Sequence, residues 1–370
     1  MEEIINEFND NKANDIRFNQ DYSLMSIGTE SGYRIYRTYP ISDIHEKILF
    51  GGISICEISY KSNYLALVGG GTIPKYIDKK VVIYNDEQDC VESEYKFTTR
   101  VLNVKFKKNY LFIVCEKKIF VFNTENSQNI DSFETKKNNR GIIAVNGSPN
   151  LTIMAHPIEF NDQPDKGYVG IKNYKTNKYF PLLVHEEPIS FMGMDYYGLL
   201  LATANDKGNI IRIHSCEDKT LLYECRRGKE KAIINYISFD IGYKYMGVSS
   251  SRGTIHIWKL NDIIERNKEN NNDEDKKEND IKKNIISNDS ENNIKINNKK
   301  SKDKYRVKEI KNYKSESSFA KIRINKPKCI FAFKNDDIVI IVTPDEKICY
   351  SKIDKKGGNC VVTGEKSLRK

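Results

Sequence analysis

The chain has 370 residues, 39% hydrophobic and 11% aromatic, enough to build the core of one large or two ordinary domains. Charged residues make up 30% and the net charge is +9, so an anionic partner is expected: phospholipid, nucleic acid or an acidic protein. No run approaches the ~18 apolar residues of a membrane span, and the opening "MEEIINEFND" lacks the basic-then-apolar layout of a signal peptide, so a soluble, cytosolic chain is expected.

A two-part phrase recurs along the chain: an apolar run, a short polar turn, and an alternating strand that ends near an aromatic. It appears first as "DIRFNQDYSLMSIGTESGYRIYR" from Asp15, then as "ICEISYKSNYLALVGGG…KVVIYN" from Ile55. "VLNVKFKKNYLFIVCEKKIFVFN" begins at Val101, and the looser "IIAVNGSPNLTIMAHP…YVGIKNY" at Ile142. The clearest pair is "ISFMGMDYYGLLLATANDKGNIIRIH" from Ile189 and "INYISFDIGYKYMGVSSSRGTIHIWKL" from Ile234. The seventh unit, "FAKIRINKPKCIFAFKNDDIVIIVTPDEKICYSKI", is placed from Phe319. Alternation of the kind in "GNIIRIHS" is strand periodicity, and Gly or Asn at the joins makes hairpin turns. Starts recur every 40 to 47 residues, except for a last interval of 85. This period predicts an all-β fold, a seven-bladed β-propeller of four-stranded antiparallel blades.

The long interval contains a segment unlike the rest. From Glu265 to Lys304 there are ten acidic residues, eleven basic residues, eleven Asn and no aromatic. Such a stretch cannot bury enough apolar surface to offset its ordering entropy. Residues 262–314 are therefore expected to be a disordered loop inserted in blade six of a propeller made of 1–261 and 315–370. Its back part, from Asn292, carries nine basic residues against two acidic ones, suited to anionic lipid.

Chemistry concentrates around "YECRRGKEKA", Tyr223 to Ala232. "TLLYECRRG" reads as the outer strand of blade five, on which successive side chains point to opposite sides, so Arg226 and Arg227 must diverge. The hairpin of blade five carries Thr203, Asn205, Gly208, Asn209 and Arg212; that of blade six carries Ser249, Ser250, Thr254 and His256. Short donors around a tight glycine turn, with an arginine fork nearby, make a cup for phosphate oxygens. Two cups flanking one Arg-Arg pair predict two phosphate sites side by side. If His256 touches phosphate there, its protonation as pH falls towards 6 is expected to strengthen binding at the second. The eight cysteines form no C-x-x-C and read as buried reduced thiols, and the five histidines show no metal-binding cluster. With no nucleophile–base set either, neither catalysis, a metal nor a cofactor is expected. No nucleic-acid-reading motif is present.

At these residues the chain resembles the PROPPIN family, seven-bladed propellers that bind phosphoinositides and include the WIPI proteins of autophagy. The family signature is Phe or Leu followed by Arg-Arg-Gly; here Cys225, Arg226, Arg227 and Gly228 stand in its place. "FNQDYSLMSIGTESGYRIY" and "SNYLALVGGGTIPKYIDKKVVIYND" are also close to family wording. The resemblance implies a monomeric, non-enzymatic adaptor that reads phosphatidylinositol 3-phosphate and 3,5-bisphosphate. It would be recruited from the cytoplasm to autophagosomal, endosomal or vacuolar membranes. By position, Arg226 would serve the first pocket with His185, Thr203, Asn205, Gly208, Asn209 and Arg212. Arg227 would serve the second with Ser249, Ser250, Thr254 and His256. The family usually has Ser or Thr where this chain has Asn205 and Asn209. Family members also recruit lipid-transfer and conjugation proteins through early blades, which points to the loop Gly69 to Lys80. The competing reading of the residues is a protein-interaction scaffold without lipid binding.

Overall fold

Seven antiparallel sheets follow one another along the chain, as the repeat predicts. The computed structural model describes residues 13–135, 137–160, 162–260, 315–335 and 337–369; the expected insert, 262–314, lies outside the described residues. Inner strands such as Tyr64–Gly69 and Tyr245–Ser250 are almost wholly buried, whereas the outer strand Cys90–Lys96 is largely solvated. Both faces of each blade pack on neighbours, so inner strands are apolar nearly throughout rather than alternating. The core is correspondingly divided into seven clusters, each joining two adjacent blades. Phe239, Trp258 and Ile211, for example, meet between blades five and six. Met25, Tyr36 and Ile340 meet between blades one and seven.

Blade one is built entirely from residues 13–48, and blade seven from Ile330–Lys334, Ile338–Val342, Lys347–Lys352 and Val362–Ser367. Among the described residues the ring is therefore closed by side chains rather than by a shared strand. Arg34 and Glu346, both buried, form an ion pair across this seam. Arg34 and Tyr36 also donate to the Leu368 carbonyl, at 2.7 and 2.8 Å. Glu346 additionally accepts from the Ala13 N–H at 2.8 Å.

One boundary differs from the expectation. Ala320–Arg323 does not open blade seven but forms the outer strand of blade six, antiparallel to Thr254–Lys259. Two blades also gain a short parallel fifth strand, Glu316–Ser317 beside Leu221–Arg226 in blade five and Gly358–Cys360 beside Ala320–Arg323 in blade six. Among the described residues no helix is long and apolar enough to cross a membrane.

Candidate functional site

The outer strand of blade five, Leu221–Arg226, sets the two arginines apart. Cys225 is fully buried in the cluster shared with blade six, so Glu224 and Arg226 leave by the opposite face. Arg212 lies across from Glu224, pairs with it at 3.1 Å, and donates to the Val184 carbonyl of blade four at 2.9 Å. Arg226 on that face is exposed, and its Nε donates to Ser315 Oγ at 3.1 Å. Arg227 is only 7% exposed. Its Nε donates to the Gly208 carbonyl at 3.0 Å, and Nη2 to the carbonyl of Glu230. Burial, with nearby Arg252 second, moves its pKa down, though an arginine stays charged at any physiological pH. Among the described residues neither Arg226 nor Arg227 has an ion-pair partner.

Cup one lies on the side of blade four. Gly208 sits at φ +60° with the Ala232 carbonyl 2.0 Å from where a Cβ would stand, so the turn demands glycine. Asn205 caps this turn, its Oδ1 accepting from the Gly208 N–H at 3.1 Å while Nδ2 donates to Glu187 at 2.7 Å. Glu187 also pairs with Lys207, which holds its carboxyl below the usual range. Asn209 is half-buried. Thr203 and His185 lie behind the surface, fully and nearly fully buried, and meet each other with His185 Nε2 3.1 Å from Thr203 Oγ1. Burial, reinforced by Arg212, pushes His185 down to about 4, so it is neutral. The open cation of cup one is thus Arg226; half-buried Arg212 is already paired with Glu224, and the Glu187 carboxylate sits at the hairpin tip.

Cup two lies on the side of blade six. Ser249 is fully buried, and its hydroxyl donates to the Cys329 carbonyl of blade seven at 2.7 Å. Ser250 is equally buried, yet its hydroxyl has no hydrogen-bond partner among the described residues. Thr254 is half-buried. His256 stacks on Trp258 and sits 3.1 Å from Ser318 Oγ. Burial, then Lys321 and Arg227, push it down to about 4. The expected charging of His256 near pH 6 is therefore corrected: two cationic neighbours and an apolar wall keep the free protein's imidazole neutral there.

The register makes the two cups equivalent. Arg212 in blade five and His256 in blade six occupy the same place, as do Arg226 and Arg323, which face Ile210 and Thr254. Lys321, directly opposite His256, and Arg323 are exposed cations of cup two. The repeat places "FAKIRI" at the head of the next unit and so hides them, although Lys and Arg two positions apart on a strand share one face. Ser315 and Ser318 also enter, one against Arg226 and the other against His256, because the chain returns between the cups at Glu316–Ser317. Gly228 has open space around it. Among the described residues no group of His, Cys, Asp and Glu could hold a metal ion.

The sequence model of the PROPPIN family matches residues 14–276. Autophagy-related protein 18 of Yarrowia lipolytica is 31% identical over 265 residues, 67% of this chain and 66% of its own length. Autophagy-related protein 18e of Arabidopsis thaliana is 30% identical over 254 residues, covering 68% and 67%. This chain thus spans about two thirds of the length of the curated relatives it matches. Among solved structures, Hsv2 of Kluyveromyces marxianus superposes with a TM-score of 0.72 at 19% identity, covering 97% of this chain and 100% of that one. The Atg21 chain solved in complex with the coiled coil of Atg16 gives 0.69 at 17% identity, covering 95% and 98%. At such identities the structural likeness speaks for the fold.

Proposed function

Because this chain belongs to the PROPPIN family, we propose that it is a non-enzymatic adaptor that reads phosphatidylinositol 3-phosphate and 3,5-bisphosphate. The observation that carries the reading is the divergence of Arg226 and Arg227 from one strand end, each beside an equivalent hairpin and neither paired with a carboxylate among the described residues. Each guanidinium grips one headgroup phosphate. Charged hydrogen bonds contribute about 1.5–3 kcal/mol each, less where water competes, so a single shallow cup holds lipid weakly. Two cups on one rigid ring raise avidity about 100- to 10,000-fold. Cup two is the tighter. It brings the exposed Lys321 and Arg323 to Arg227, whereas cup one carries Glu187 against its Asn205 amide. The rim of blades five and six meets the bilayer edge-on, and the protein moves from cytoplasm to phosphoinositide-bearing membranes of the autophagic and endosomal system.

The partner surface follows from blade two. Ile73 and Ile77 in the loop Gly69 to Lys80 are 58% and 61% exposed, and Phe50, on the neighbouring connection, is 83% exposed. That loop is fastened to the connection by the Gly52 N–H donating to the Ile73 carbonyl at 2.7 Å. An apolar corner held so firmly suits autophagy-related protein machinery, such as a coiled coil of the kind bound by Atg21. Flotation with liposomes containing phosphatidylinositol 3-phosphate tests the lipid reading. The Arg226→Thr, Arg227→Thr double variant stays unbound if it is right. Equal flotation of variant and wild type leaves the plain scaffold.

A further inference from the structure

A cavity of about 320 Å3 opens one blade before cup one, and the two proposed lipid sites make no use of it. Its walls are the connection from blade three to blade four, the hairpin of blade four, and the connection onward to blade five. It is the blade-four counterpart of the cups by register. Ile158 ends the second strand of its hairpin, where Asn205 and Ser250 end theirs in blades five and six.

The chemistry differs from that of the cups. Three cations, Lys137, Arg140 and Lys166, line the cavity. Arg140 Nη1 lies 3.6 Å from Asp206 Oδ1, and Lys166 Nζ 3.2 Å from Glu186 Oε2. Exposed Lys137 has no ion-pair partner among the described residues. Three positive charges therefore face two carboxylates. The rest of the lining is largely apolar, with Pro157, Ile158, Pro188 and Ile189 all half-buried. Neutral donors for a phosphate are few: both prolines lack an N–H, and the Asn138 side chain is bonded both ways to Ile142, which leaves the exposed Asn139 amide. A phosphate dianion would also face Asp206. A singly charged carboxylate can exchange with Asp206 on Arg140 while an adjacent apolar side chain covers the isoleucines.

We propose that this cavity docks an acidic peptide segment of a protein partner, a glutamate or aspartate on Lys137 and Arg140 with an apolar neighbour against Ile158 and Ile189. The proposal stands whether or not the cups bind lipid. The test is fluorescence anisotropy of the full chain with a labelled octapeptide of alternating glutamate and leucine, and a lysine–leucine octapeptide as control. The acidic peptide binds the wild type at low salt, at least about tenfold more tightly than the Lys137→Glu, Arg140→Glu variant, and the lysine peptide does not bind. Raising the salt weakens the complex. If charge reversal lowers the melting temperature, Lys137→Gln with Arg140→Gln serves instead, with the same ordering. Absence of binding, equal binding by variant and wild type, or equal binding of the lysine peptide overturns the proposal. So does a variant that loses inositol 1,3-bisphosphate rather than the peptide, which would make the cavity a phosphate site.

Discussion

The twin arginines are chemically identical but structurally unequal, and replacing each by alanine separates their roles. Arg227 is 7% exposed and ties the tip of the blade-five hairpin at Gly208 to the connection at Glu230. Removing it unmakes two hydrogen bonds from a charged donor, about 1.5–3 kcal/mol each before solvent competition. A net loss of about 2–4 kcal/mol is expected. Unfolding entropy of ~2.1 cal/mol/K per residue over roughly 300 described residues gives about 0.6 kcal/mol/K. Arg227→Ala therefore lowers the melting temperature by about 3–7 °C. Arg226 is exposed and bonds only one serine hydroxyl, so Arg226→Ala shifts it by less than about 1 °C. Both variants lose affinity for phosphatidylinositol 3-phosphate liposomes, Arg227→Ala the more. Circular dichroism melts alongside liposome flotation read both quantities. Equal melting shifts for the two variants, or a larger shift for Arg226→Ala, would refute the assignment of Arg227 as the anchored partner.

With a pKa of about 4, His256 is neutral throughout the range from pH 6 to 7.5, so the ratio of liposome binding at those two values is the same for wild type and His256→Ala. A ratio that collapses in the variant would show a titrating imidazole. Arg34→Met takes the buried partner from Glu346, which keeps only the half-exposed Arg369 at 3.2 Å, and costs up to about 3 kcal/mol, whereas Arg34→Met with Glu346→Leu recovers part of it in urea unfolding. Additive losses would contradict a coupled pair. Lys107 is buried beneath the seam of blades three and four, its ammonium donating to the carbonyls of Asn146, Ser148 and Leu151. Burial pulls its pKa down to about 7, so between about pH 7 and 10 the unfolded chain holds a proton that the folded one has shed, and stability rises with pH. Lys107→Met lowers the melting temperature at pH 7 and flattens that rise; an unchanged slope would show the three carbonyls keep the ammonium charged.

The blade repeat and the hairpin glycines were legible because alternation and tight turns are local properties of the chain. The outer limit of blade six was not. "AKIRI" follows a long insertion, and only pairing with Thr254–Lys259 shows that it completes the preceding sheet rather than starting the next. Lys321 and Arg323 were lost with it. The depth of polar side chains was equally hidden. Period-two alternation tells which residues share a face, but both faces of a blade are packed against neighbours. Ser249 and Thr203 therefore read like surface hydroxyls while serving the Cys329 carbonyl and the His185 ring. Ser250, one residue further on, is equally buried, and its hydroxyl has no partner among the described residues.

Counting headgroups per ring tests the two-cup account most directly, by isothermal titration calorimetry of the full chain with soluble inositol 1,3-bisphosphate. Two binding events per chain are predicted, the tighter lost in Arg227→Thr and the weaker in Arg226→Thr. A single event, or two events indifferent to both substitutions, would contradict it.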